Sequence, residues 1–154
     1  MAKYEQVFED TQAIFNQKIL DAGLDRFMTV TVLATNQSKE IYNVTKASDI
    51  VKFRSGDDVY IFVNDLIFEQ LTPEQQQIVA EAAVAHISFD SEKDKIVITK
   101  PNFKAHKPII KKYTYDVLEV LEETIESLYQ KRKEEEDASK AQTEKAGKKK
   151  SFKK

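Results

Sequence analysis

A chain of 154 residues, 41% hydrophobic and 32% charged, suffices for one core with a well-solvated surface. It has no cysteine, which excludes a disulfide framework and thiolate zinc sites and fits a reducing compartment. No apolar run approaches the roughly 20 residues needed to span a bilayer, so neither a membrane partner nor a membrane location is expected.

The first residues, Met-Ala-Lys-Tyr-Glu-Gln-Val-Phe, read as the start of an amphipathic helix rather than a signal peptide, which points to a cytoplasmic protein. Apolar positions at Val7, Phe8, Ile14, Phe15, Ile19 and Leu20 recur with helical period across residues 4–22, and Gly23 stops the run. Phe27 to Ala34 is β-branched and alternating, which predicts a strand. Asn36 to Lys39 reads as a turn, and Glu40 to Thr45 as a returning strand that completes a hairpin. Ser48 to Phe53 fits one or two helical turns or an irregular crossing, broken at Gly56-Asp57-Asp58. Val59-Tyr-Ile-Phe-Val63 is a continuous apolar run, the pattern of a buried strand.

Asn64 then caps a short helix over Asp65 to Gln70. Thr72-Pro73 opens the next helix, with Gln75 placed as the capping-box partner, and the helix is expected to run to about Ser88. Asp90 to Asp94 is a polar turn, Lys95 to Thr99 a strand, and Pro101 to Pro108 a loop. Tyr115 to about Glu136 predicts a long helix with Val117, Leu118, Leu121, Ile125 and Leu128 on its apolar face.

After Tyr129 the sequence turns to charge. Residues 131–154 hold 10 Lys+Arg against 5 Asp+Glu, which leaves 14 basic and 21 acidic residues in 1–130. An acidic body with a basic appendage repels phosphates with the one and attracts them with the other. From residue 137 onward too little apolar surface exists to offset ordering entropy, so 137–154 is expected as a disordered Lys-rich tail on a domain of residues 1–136. Lys145, Lys148, Lys149, Lys150, Lys153 and Lys154 are the candidate contacts to nucleic acid or another anionic surface; the same lysines would also serve as a plain solubilising tail.

Four pieces carry a family resemblance: Val59-Tyr-Ile-Phe-Val-Asn64, Leu71-Thr-Pro-Glu-Gln75, Ala82-Ala-Val-Ala-His-Ile87 and Asp90-Ser-Glu-Lys-Asp-Lys-Ile-Val-Ile98. In this order they resemble the zincin-like metallopeptidases encoded by bacteriophages and related mobile elements. In that family the third piece is His-Glu-x-x-His, two imidazole ligands one helical turn apart with the general base beside the first. Here the register set by His86 reads Ala82-Ala83-Val84-Ala85-His86, so one ligand position and the base position are alanine. His86 is the one remaining metal-ligand candidate; no metal, cofactor or catalytic residue is expected. Glu81 lies off that helix face, so His86, Asp90 and His106 are the only candidates, and nothing in their spacing brings them together.

Read without the family, His86 packs in a core with one ring nitrogen on a carbonyl or water, and His106 is solvent-exposed. The alanines at 80, 82, 83 and 85 then mark close packing of a helix against the sheet. Phe53, Tyr60, Phe62, Phe68 and Phe89 are expected in the core, and Asp57-Asp58 on the solvated surface. The three glycines form no phosphate loop.

The expected fold is α+β, a small sheet of about four strands with three main helices in zincin-like order. The resemblance implies a non-catalytic, zincin-derived interaction protein, phage-encoded, that binds a protein partner inside the bacterial cell, such as host or phage transcription machinery. A nucleic-acid-associated accessory factor acting through the tail, and a metal-dependent hydrolase with another ligand set, are the alternatives.

Overall fold

Strand β4, Val59–Val63, is the centre of the fold. The structure is a computed structural model that describes residues 3–100 and 106–152, excluding the side chains of 140–152. Val59, Ile61 and Val63 are fully buried on one face of β4, while Tyr60 and Phe62 are half-buried on the other. A strand so apolar on both faces gains most as an inner strand. It lies between β2, Val30–Ala34, and β3, Tyr42–Lys46, with the short β1, Glu5–Gln6, beyond β2, giving the order β1-β2-β4-β3. Strands β2 and β4 run parallel with Val32 opposite Ile61, and β3 is antiparallel with Val44 opposite Ile61.

The hairpin expected between residues 27–34 and 40–45 therefore does not form. Pairing β2 directly with β3 would leave β4 at an edge, its peptide groups unpaired and its apolar side chains half-exposed. The N-terminal helix also begins later than its apolar period suggests. Residues 5 and 6 pair with Leu33 and Ala34, and α1 spans Glu9–Asp21.

Helix α2, Asp49–Ser55, crosses between β3 and β4, and α3, Asp65–Phe68, follows β4. Helix α4, Pro73–Val84, packs along α1 and against β3. It ends four residues short of Ser88, because Ile87–Asp90 forms β5, paired antiparallel with β6, Lys95–Ile98. A helix not foreseen in the sequence, α5 over Lys107–Tyr113, occupies the end of the expected loop, with Pro108 in its first turn.

Thr114, at φ 67°, breaks the chain between α5 and α6. Helix α6 spans Tyr115–Phe152, so the backbone is helical beyond the expected boundary at Glu136 and through most of the segment expected to be disordered. Its Lys, Glu, Ala and Gln content favours helix locally where the apolar stripe has stopped. Packing ends earlier: Leu118 and Leu121 are buried, Ile125 and Leu128 lean on the core, and Arg132 donates to the Asn36 carbonyl at 2.7 Å. The fold class is α+β as expected, with a four-stranded mixed sheet, a two-stranded sheet and six helices among the described residues. No helix among them is long and apolar enough to cross a membrane.

One core cluster joins Phe15 and Ile19 of α1, the inner face of the sheet, Phe68, and Ile78, Val79, Ala80 and Ala83 of α4. At its rim sits a buried carboxylate. Asp65, 1% exposed, accepts the Phe8 N–H and the Thr11 hydroxyl, each at 2.6 Å. Phe8 is the N-cap of α1 and offers no capping side chain, so Asp65 supplies the cap from 57 residues away. The carboxylate also lies at the positive end of the α1 dipole.

Asp65→Ala should lower stability by roughly 3 kcal/mol in urea unfolding, since it leaves a buried N–H and hydroxyl without their charged acceptor. Asp65→Asn, which keeps one acceptor oxygen, should lose less. A loss under about 1 kcal/mol for the alanine variant would show that the start of α1 is held by packing alone.

Candidate functional site

Helix α4 carries the stretch that the zincin resemblance singles out. Its start is built as the sequence predicts: Thr72 Oγ1 accepts the Gln75 N–H, and Gln75 Oε1 accepts the Thr72 N–H, both at 3.2 Å. Ala80 and Ala83 are fully buried and Ala82 and Ala85 half-buried. The small side chains allow α4 to lie close to α1, so the alanine packing expected against the sheet is shared with a helix. His86 falls just outside the helix. The last turn closes with the His86 N–H on the Ala83 carbonyl at 3.2 Å, an i to i−3 bond, and the chain then enters β5. The regular helical spacing that a His-Glu-x-x-His pair needs does not extend to residue 86.

Glu81 faces away from this point. Its carboxylate accepts both the Tyr113 hydroxyl and, at 3.0 Å, the Lys112 ammonium, with Lys18 at 3.6 Å. Burial pushes the Glu81 pKa up, but the hydrogen bonds from Tyr113 and Lys112 and the charges of Lys112 and Lys18 outweigh it and hold the carboxyl below its ordinary value. The cluster ties α1, α4 and α5 together.

The two histidines meet, contrary to the expectation from their spacing. Their ring centres lie 4.8 Å apart, edge to face, and Tyr42 Oη sits 3.0 Å from His86 Nε2. His106 is the N-cap of α5 and half-buried rather than exposed, and its Nε2 is buried with no hydrogen-bond partner among the described residues. The end of α4, strand β3 and the start of α5 thus converge, three elements whose contact no local pattern announces. Asp90 does not join them; its Oδ1 accepts the Glu92 and Lys93 N–H groups in the β5–β6 turn. Among the described residues no group of three or more His, Cys, Asp or Glu side chains could hold a metal.

Burial disfavours charge on both Tyr42 and His86. Burial, then the Glu40 charge, pushes the Tyr42 phenol up to about 12. Burial, then the charges of His106 and Lys100, lowers the His86 pKa, only partly offset by a hydrogen bond of the ring with the Thr99 backbone. Tyr42 Oη and His86 Nε2 share one hydrogen bond, its donor set by the imidazole tautomer. Through His86 this geometry links β3 to the start of α5.

A different surface stands out. Helix α2 has no buried residue, Ile50 is 73% exposed and Phe53 is 91% exposed. The sequence reading put Phe53 in the core; an isolated helix of two turns has apolar positions 50, 51 and 53, and only the half-buried Val51 turns inward. Of the other aromatics, Phe68 is core and Tyr60, Phe62 and Phe89 are half-buried. Asp57 and Asp58, expected as solvated surface, are both engaged: Asp57 accepts the Thr31 and Tyr60 hydroxyls, and Asp58 accepts the Thr29 N–H and pairs with Lys52. The tail lysines proposed for anionic contacts belong to α6 at 145 and 148–150, where no side chains are described, and Lys153 and Lys154 lie outside the described residues. No protein-family model, curated protein or solved structure matches this chain.

Rebuilding the metal motif tests whether the alanines face a cleft. Ala83→Glu should cost roughly 3 kcal/mol or more, because residue 83 has no exposed surface and the carboxyl would be buried without partners. Ala82→His, at a half-buried position, should cost clearly less. An Ala83→Glu variant stable to within about 1 kcal/mol would place that side chain in a cleft and revive the motif register.

The His86 shift has a sign that can be checked. With the folded pKa below the ordinary 6.5, the unfolded chain takes up the proton first, so the site's contribution is complete above pH 6.5 and is lost as pH falls through the folded value. In urea unfolding between pH 7.5 and 5, the stability of His86→Gln should fall less steeply than that of the parent chain. Parallel slopes for the two proteins would contradict the shift.

Proposed function

We propose that this chain is a non-catalytic protein-binding module that docks through α2. The observation that carries the reading is Phe53, a large aromatic left 91% exposed with Ile50 beside it on the same helix face. Burying such side chains on association is worth about 1.5–3 kcal/mol each, and aromatic and arginine anchors dominate binding hot spots. Arg54 stands next to Phe53 and supplies the second anchor type. Scattered exposed apolar residues are ordinary on a protein surface, but two on one two-turn helix with nothing buried beneath are a concentrated patch.

The zincin resemblance supports the non-catalytic half of the reading. Its ligand and base positions are Ala82 and Ala83, and Ala83 is part of the core. Under that resemblance the scaffold descends from a phage-type peptidase and serves as an interaction protein in a bacterial cell.

Phe53→Asp should leave the midpoint of thermal unfolding unchanged, since the side chain touches almost nothing in the folded chain. Crosslinking of full-length protein in a bacterial lysate should give partner adducts that this variant lacks. The same adducts in both proteins would remove α2 as the docking element.

A further inference from the structure

We infer that α6 is an arm that carries lysines away from the acidic body and lays them on the phosphate backbone of a duplex nucleic acid. The inference is independent of α2 and of what α2 docks to. Leu118 and Leu121 root the arm in the core, and Arg132 ties it to the Asn36 carbonyl. Residues 133–139 carry no large apolar side chain, yet the helical backbone continues to Phe152.

Charge spacing accounts for that continuation. Arg132 pairs with Glu136 at 3.6 Å, and the sequence repeats the alternation at the same four-residue step with Lys140, Glu144 and Lys148. Opposite charges at i and i+4 stabilise a helix with no core beneath it. Lys145, Lys149 and Lys150 stand outside this ladder, since none has an acid three or four residues away in either direction. Lys145 and Lys149 are one turn apart, a like-charge spacing that costs helix stability unless an anion lies along it.

The helix also sets the distance. At 1.5 Å per residue, Lys145 lies about 20 Å along the axis from Arg132, and Lys150 about 27 Å. The Debye length is about 8 Å at physiological salt, so the excess acid of residues 1–130 is screened there. A flexible tail would instead let the lysines fold back on that acid. The charge selects a polyanion, and the composition selects which kind. Phe152 is the one large apolar residue in 138–152, too little for a helix that lies in a lipid interface. A duplex offers phosphates in a regular row, and three lysines on it give weak, sequence-independent binding that depends steeply on salt.

Fluorescence anisotropy of labelled short DNA and RNA duplexes, titrated with the full chain, tests the inference. With about three phosphates neutralised, log K on DNA should fall with log salt at a slope near −3, so binding tightens about 20-fold from 150 to 50 mM KCl. Binding of either duplex supports the inference, and the tighter one identifies the source of the phosphates. The combined Lys145→Gln, Lys149→Gln and Lys150→Gln variant should bind about tenfold more weakly at the lower salt and lose most of the slope. Ala141→Pro keeps every charge and breaks the arm before the lysines. It should weaken binding several-fold while the midpoint of thermal unfolding stays unchanged. No binding of either duplex at the lower salt would overturn the inference. So would unchanged binding by the triple glutamine variant or by Ala141→Pro, or tighter binding to phosphatidylserine vesicles than to either duplex.

Discussion

Two buried polar residues at the end of the central strand, Asn64 and Asp65, set how the rest of the chain is arranged. Asn64 Oδ1 accepts the Ile67 N–H and so starts α3, while its Nδ2 donates to the Ser38 carbonyl at 2.8 Å. The Asp65 N–H donates to Asn36 Oδ1, and the Asp65 carboxylate caps α1. The loop that carries the chain from β2 around β4 to β3 is thereby fixed at residues 36 and 38. Arg132 of α6 reaches the same loop through the Asn36 carbonyl. A carboxylate removed from water is costly unless its oxygens are satisfied, so one arrangement of these five segments is strongly preferred over near alternatives. Burial of β4 supplies the driving force, and the Asn64-Asp65 pair supplies the direction.

Helix α4 holds α5 at two points by opposite means. Glu81 uses charge, with ammonium groups from α1 and α5 on one carboxylate. At the other end, the rings of His86 and His106 meet edge to face beside Tyr42. The first contact is partly exposed and weakens with salt. The second depends on pH, because a proton on His86 would be poorly solvated and close to the charges of His106 and Lys100. Residues that the motif register would assign to metal chemistry thus serve helix packing here.

Helix α2 stands apart from this framework. Ser48 caps its start, and Gly56, at φ 80°, ends it with an N–H on the Lys52 carbonyl, a left-handed position that glycine adopts without strain. Those local bonds define its direction without any core beneath it. A short helix held at both ends and apolar on its outer face is suited to present side chains outward.

The local grammar of the chain was legible from residues alone. Thr72-Pro73 with Gln75, Asn64 before α3 and the apolar run of β4 all act within a few residues, where capping and strand burial are decided by neighbours in sequence. What sequence by itself did not determine was pairing over distance. The placement of β4 between β2 and β3 depends on which strand loses most at an edge. The cap on α1 comes from Asp65, and His86 meets His106 from opposite sides of the β5–β6 hairpin in sequence. Phe53 and Val51 are both apolar positions on one short helix, and only the tertiary structure decided that Val51 turns inward and Phe53 outward, because the period of two turns is too short to define a buried face.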